Sequence, residues 1–207
     1  VELSTPEIAN MTAAHILRKD RNHLSHEDNK QAARLFRDAA YYVGNDPMIT
    51  EAQQALDLIE KAIARLGATI VILDNLHALC RGDNELRDQA SASRRIKTIA
   101  QRTGTKWVVV CQPRKADSKN KGKTLHISDI KGAGAIIEDA DALFTIHRNY
   151  VQNPDPNNPP MDTYEPETEI HCLKARTKAD GPTFSKLFFH GALATYADIT
   201  HMEPPPQ

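Results

Sequence analysis

At 207 residues the chain has room for one domain with a sizeable core, with or without appendages, and not for several. Its 40% hydrophobic and 26% charged residues are ordinary for a globular protein, and a net charge of −1 excludes a global basic signature, so any contact with nucleic acid has to come from a local patch. No apolar run approaches the ~20 residues of a membrane span, none reads as a signal peptide, and an odd set of irregularly spaced cysteines (Cys80, Cys111, Cys172) reads as reduced, buried thiols of a cytosolic protein.

The chain opens on VELSTPEI, without an initiator Met and already in register with a strand end, and reads as a piece of something longer. Ser4-Thr5-Pro6-Glu7 joins a cap, a first-turn proline and a Ser-x-x-Glu capping box, which starts a helix. Ile8, Met11, Ile16 and Leu17 give that helix a partial core face. A second helix starts near Ser25, carries Ala32, Leu35, Phe36 and Ala39, and passes into a short strand, YYV. Thr50 to Gln53 is another capping box. Ala52, Ala55, Leu56, Ile59, Ile63 and Leu66 then recur at helical spacing until Gly67 supplies the stop.

The unbroken β-branched run ATIVILD predicts a strand covered on both faces and ending at Asp74. A polar helix over residues 85–102, closed by Gly104, leads to a second such strand, KWVVVCQP. Residues 113–130 form a loop, followed by a short AGAIIEDA helix and a third strand, DALFTIHR. Residues 151–166, rich in Pro, Asn and Asp, read as an exposed loop. TEIHCLKAR, TFSKLFFHG and LATYADI alternate more clearly, as an antiparallel meander would, and HMEPPPQ reads as a disordered tail. The fold class is α/β, a sandwich with a mostly parallel central sheet and an antiparallel C-terminal extension.

In such sheets ligands gather at the carboxyl ends of the strands, where the chemistry-bearing residues of this chain also lie. Asp74 has the position of a Walker B aspartate, which holds the Mg2+ of a nucleotide through water, or it caps a turn. Gln112 ends the next strand, where an amide can touch a terminal phosphate or orient a water, or be an ordinary strand-end group. Glu2 ends a further strand; it is a general base for water attack or only a partner of the helix dipole. Lys174 and Arg176 occupy alternate positions of a strand end and point the same way, as a pair that stabilises a transferring phosphoryl group would.

The loop after Gln112 holds Arg114, Lys115, Lys119, Lys121, Lys123 and Lys131 against Asp117 and Asp129. With Gly132-Ala133-Gly134 it suits a phosphate backbone approached closely, the alternative being a solvated charge run. No interleaved aromatic points to base stacking. Gly122-Lys123-Thr124 ends like a P-loop, but Asp117 stands where the first glycine belongs and LHISDIKGAG starts a helix poorly. The histidines, His23-x-x-His26 included, lack metal-ligand spacing and read as structural.

Taken in order, IVILDNLHAL, VVVCQPRK, ISDIKGAGAIIEDADALFTIHR and LKARTKADGP resemble the ATPase domain of ring-forming replicative DNA helicases, the DnaB family within the RecA-like fold. The look is closest to the phage-type primase-helicases and the mitochondrial helicase Twinkle. The most specific part is Ser128-Asp129-Ile130-Lys131-Gly132-Ala133-Gly134, leading into Asp139-Ala140-Asp141 and a strand. The resemblance implies a RecA-like three-layer sandwich over residues 1–198, with 199–207 as a tail.

It also implies roles. Glu2 matches the catalytic glutamate, Asp74 the Walker B metal ligand and Gln112 the γ-phosphate sensor. Lys174 and Arg176 match the cations that reach a neighbouring subunit's nucleotide. Arg114, Lys115, Lys119, Lys121, Lys123, Lys131, Gly132 and Gly134 fall on the loops that grip single-stranded DNA. Mg2+ and ATP, or another NTP, are implied for the intact parent. So are single-stranded DNA, a homohexameric ring and a primase domain as partners, no membrane, and action in the cytoplasm, of a host if the protein is phage-encoded. The family's Walker A and the strand before it fall upstream of Val1. The chain alone is therefore expected to bind no nucleotide tightly, to neither hydrolyse ATP nor unwind DNA, and to keep an apolar sheet edge open to self-association. The rivals are a RecA/RadA-like recombinase or circadian-clock-type ATPase, against which Lys174-x-Arg176 and residues 128–141 weigh, and a non-catalytic DNA-binding or assembly module.

Overall fold

The computed structural model describes residues 5–36, 51–80, 84–113, 125–130, 133–151, 163–176, 184–190 and 195–198. In chain order the elements are α1 (Thr5–Leu17), a 3-10 turn (Arg21–His23), α2 (His26–Phe36), α3 (Ala52–Leu66), β1 (Ile70–Leu73), α4 (Leu76–Leu79) and α5 (Glu85–Thr103). Then come β2 (Lys106–Val109), a 3-10 turn (Ile127–Asp129), α6 (Ala133–Asp139), β3 (Ala142–Val151), β4 (Thr163–Ala175), β5 (Phe184–His190) and β6 (Thr195–Asp198). The helix–strand alternation and the antiparallel finish expected from the sequence are both present.

Among the described residues the strands form two sheets: a parallel pair, β1–β2, with Ile70 opposite Lys106 and Leu73 opposite Val109, and an antiparallel meander in the order β3-β4-β5-β6. Helices α3 and α5 cover one face of the parallel pair. Leu56 and Ile63 of α3 meet Ala92, Ile96 and Ile99 of α5, and Val71, Leu73, Trp107 and Val109 pack against that cluster from the strands. Burying such side chains stabilises a fold by ~1.5–3 kcal/mol each before chain entropy is set against it. Arg95 adds ion pairs to Asp57 and Glu60 along the α3–α5 seam. Helix α5 also packs on α6, whose Ile136 joins the same core, so α5 ties the two sheets together.

Both long helices stop where predicted. Gly67 and Gly104 sit at φ 63° and 71°, with open space where a Cβ would be, so the backbone conformation and not crowding selects glycine. Helix α3 begins one residue later than the Thr50–Gln53 box implies, with Glu51 at the N-cap position. Helices α1 and α2 pack together, and the buried residues of α1 are Ala13 and Ala14, that of α2 Ala32, while Met11, Ile16 and Leu17 are only half-buried and Leu35 is exposed. Ser25 and Asp28 cap α2 reciprocally: the Asp28 N–H donates to Ser25 Oγ at 3.1 Å and the Ser25 N–H donates to Asp28 Oδ2 at 2.9 Å. The YYV segment, Phe36's side chain and the 199–207 tail lie outside the described residues.

Two expectations change. Among the described residues β1 and β2 are covered on one face: Ile70 is 61% and Ile72 70% exposed, and Val108 and Val110 are exposed with them. β4 starts at Thr163, inside the segment read as loop, because Val151 and Tyr150 of β3 supply it with partners, Thr163 and Tyr164. Among the described residues no helix is long and apolar enough to cross a membrane.

Candidate functional site

The apolar run of β1 delivers Asp74 to the carboxyl edge of the parallel pair, and the structure builds a tight turn behind it. The Asp74–Asn75 peptide is cis. Asn75 Oδ1 accepts the Ala78 N–H at 2.8 Å and so caps α4. The Val110 N–H donates to Leu73 O at 2.9 Å and the Leu76 N–H to Val110 O at 3.0 Å, so the β1 turn is stitched to the end of β2. His77, buried, accepts the Gln112 N–H on Nδ1 at 3.1 Å. Backbone and imidazole thus hold Asp74 and Gln112 on one edge, and both residues are exposed there.

Among the described residues no hydrogen bond or ion pair engages the Asp74 carboxylate, and no group of three His, Cys, Asp or Glu side chains could cage a metal. One open carboxylate oxygen donor is what Mg2+ needs when phosphates and waters supply the rest of its octahedron. Asp74 therefore fits the group that the resemblance implies.

The basic loop leaves from this edge. Pro113 and Ile130 pair in an antiparallel bridge, which closes the neck of the loop directly after Gln112. The returning limb is set by a capped 3-10 turn in which the His126 N–H donates to Asp129 Oδ2 at 2.8 Å. Arg114, Lys115, Lys119, Lys121, Lys123, Lys131 and Gly132 lie outside the described residues, as does Glu2. Gly134 is exposed in the first turn of α6.

Lys174 and Arg176 form a second cluster, beside the start of β3, and reach the same side as expected. The Lys174 ammonium donates to the Ile137 carbonyl and, at 2.9 Å, to Ala140 O. Arg176 donates to Glu138 O at 2.7 Å and to Asp141 Oδ1 at 3.2 Å. The two cations thus cap the carbonyl end of α6, the negative end of its dipole. Lys97 of α5 bonds the other Asp141 oxygen and holds that carboxyl below the usual carboxylate range, with Arg176 and Lys174 adding to the effect.

Cys80 and Cys111 lack the lowered thiol pKa of a reactive cysteine. Burial, with Asp88 and Glu85 nearby, pushes the Cys80 thiol up to about 11, and burial raises that of Cys111 as well. Sequence reasoning missed His77 and Asp141. His77 stands three residues after Asp74, where a polar side chain in the strand-end turn faces the neighbouring strand end. Asp141 stands inside a quoted motif.

Comparison with solved structures gives the class. The chain superposes on a DnaB-like replicative helicase, solved in a study of its interactions with primase, with a TM-score of 0.72 at 14% identity, covering 96% of this chain and 49% of that one. It matches a second solved protein, an ATPase domain, with a TM-score of 0.71 at 15% identity, covering 96% of this chain and 72% of that one. The fold is the RecA-like fold of helicase ATPase domains.

The family model for the DnaB-like helicase C-terminal domain matches residues 4–198, and the chain belongs to that family. Among curated relatives, the DNA helicase/primase of Enterobacteria phage T3 is 26% identical over 121 residues, 56% of this chain and 21% of the phage protein. The replicative DNA helicase DnaB of Leifsonia xyli subsp. xyli (strain CTCB07) is 25% identical over 166 residues, 78% of this chain and 34% of that protein. The chain therefore spans between about a fifth and a third of the length of these relatives.

Proposed function

We propose that this chain is the C-terminal part of an ATP-dependent replicative DNA helicase that couples nucleotide hydrolysis at subunit interfaces to movement along single-stranded DNA and duplex unwinding. The observation that carries the reading is the shared edge of β1 and β2, where an unengaged Asp74 carboxylate, the Gln112 amide and the neck of a basic loop lie side by side.

In this reading Asp74 would hold Mg2+, which would supply positive charge to offset the negative charge of the phosphates of a bound nucleotide. Gln112 meets the terminal phosphate. Because the backbone N–H of Gln112 is fixed on His77 and its neighbour Pro113 starts the loop neck, a shift of Gln112 toward a phosphate pulls on the loop. Arg114, Lys115, Lys119, Lys121, Lys123 and Lys131 then meet the DNA backbone, which needs charge and close approach and no base readout. Lys174 and Arg176 act on the nucleotide of a second copy in the ring, and Glu2 activates the attacking water. The names of the relatives also support a primase as partner or fused domain. The protein works where DNA is replicated, in the cytoplasm of a cell or of a phage's host.

The test is single-stranded DNA binding across a salt series, wild type against Lys119, Lys121 and Lys123 changed together to Ala. Binding should weaken steeply with salt, and the triple variant should bind more weakly with a slope shallower by roughly two to three. An unchanged slope removes DNA from this loop. Absence of binding by the full-length protein as well overturns the helicase reading.

A further inference from the structure

The corner where β4 meets α6 holds more order than a cationic pair awaiting a ligand requires. Arg176 is anchored three times to one short segment. Its backbone N–H donates to Asp141 O at 2.8 Å, one guanidinium nitrogen donates to Asp141 Oδ1 at 3.2 Å and the other to Glu138 O at 2.7 Å. Asp141 is itself fixed from the opposite side, because Lys97 bonds its Oδ2 from the middle of α5. The Arg176 side chain is nevertheless half exposed. Its fork spends one edge on Asp141 and Glu138 and keeps further N–H donors in solvent.

A surface ion pair of this kind adds little stability. What three converging anchors do provide is direction, since a long arginine held at both backbone and fork gives up its rotamer freedom before any ligand arrives. We infer that Asp141 is a positioning residue for Arg176: it orients the guanidinium so that the unspent N–H edge meets the anionic phosphates of a nucleotide held by a second copy of the chain. This rests on the reading of Arg176 as a group acting on a neighbour's nucleotide. Asp141 touches no phosphate itself. Lys97 fixes Asp141 and carries the register of α5 into the same corner.

A double-mutant cycle in the full-length protein, assembled on single-stranded DNA, tests this. Asp141→Asn should lower kcat for nucleotide hydrolysis by roughly ten- to a hundred-fold at unchanged KM, since a misaimed cation costs the transition state more than the ground state. Asp141→Glu should recover part of the loss. In an Arg176→Ala background Asp141→Asn should cost nothing further, because its whole effect runs through Arg176. Losses that multiply in the double variant, or an Asp141→Asn enzyme with wild-type kcat, overturn the proposal while leaving Arg176 in place. An Arg176→Ala enzyme with wild-type kcat overturns the underlying reading and the proposal together. Should Asp141→Asn fail to fold, Lys97→Met carries the same cycle: a loss of kcat absent from the Arg176→Ala background supports the proposal, and one that persists there overturns it.

Discussion

The carboxyl edge of β1–β2 and the corner between β4 and α6 both collect polar side chains, in opposite ways. At the first, the backbone and buried His77 make the contacts, and the Asp74 carboxylate is left without an internal partner among the described residues. At the second, the side chains themselves are engaged, with Lys174 and Arg176 on three carbonyls and a carboxylate that Lys97 also holds. The difference separates two kinds of readiness. In the proposed roles, a group that would take a metal and phosphates can wait in water at little cost, because ligand and solvent compete for the same oxygens. A long cation that would act on a second copy would lose more by waiting loose, and here the side chain is already fixed.

The largest effect should come from emptying the first region. Asp74→Asn keeps the size of the side chain and removes its charge, so hydrolysis by the full-length protein should fall at least ~100-fold in kcat. The melting temperature of the chain should stay put, because among the described residues the carboxylate has no bond to lose. A kcat within about two-fold of wild type would move the metal elsewhere and erase the contrast between the regions.

A middle-sized effect should come from His77. His77→Ala strands the Gln112 N–H beside a buried space, at a cost of about 1–3 kcal/mol. Amide exchange at Gln112 should speed up by the matching factor, and the thermal midpoint should drop. His77→Gln, whose side-chain carbonyl can accept the same bond, should return most of the protection. Equal losses in both variants would mean that imidazole packing and not the hydrogen bond holds the edge together.

Much of this frame is legible in the chain. Helix α3 announces itself by apolar spacing, α3 and α5 each by a closing glycine that must adopt positive φ, and the meander by its alternation. Asp74, Gln112, Lys174 and Arg176 are legible because strand ends are. What fails is whatever depends on a distant partner. The start of β4 at Thr163 is hidden by Pro- and Asn-rich surroundings, since its strand character comes from pairing with Val151. The contact of His77 with Gln112 spans 35 positions. The half-open apolar face of β1 and β2 reads as fully covered, because a sequence shows what a residue prefers and not what reaches it. In α1 the larger apolar side chains suggest a core face, yet it is Ala13 and Ala14 that are buried and Met11, Ile16 and Leu17 that are only half-buried.

The smallest expected effect tests whether the rule of fixed groups extends beyond the site. Asp28 belongs to neither region, yet it is held as fully as Asp141: Lys19 bonds Oδ1 at 2.6 Å, and both the N–H and the hydroxyl of Ser25 bond Oδ2. The Lys19 bond first, then those from Ser25, lower its pKa from 3.8 to about 2. A carboxyl whose folded value lies below its unfolded one lends stability that is complete above the unfolded value and is lost as pH falls toward the folded one. The contribution should therefore persist at pH 5 and fade between about 4 and 2, with Asp28→Asn removing that part of the acid transition. Amide exchange in α1 and α2, followed against pH, reads it directly. Because the buried side chains of α1 and α2 are small, Ala13, Ala14 and Ala32, their protection should decline before that of α3 and α5 does. If all four helices lose protection together in wild type and Asp28→Asn alike, the Ser25–Asp28–Lys19 cap does not govern the acid response, and tight side-chain fixing in this fold has no consequence outside the β4–α6 corner.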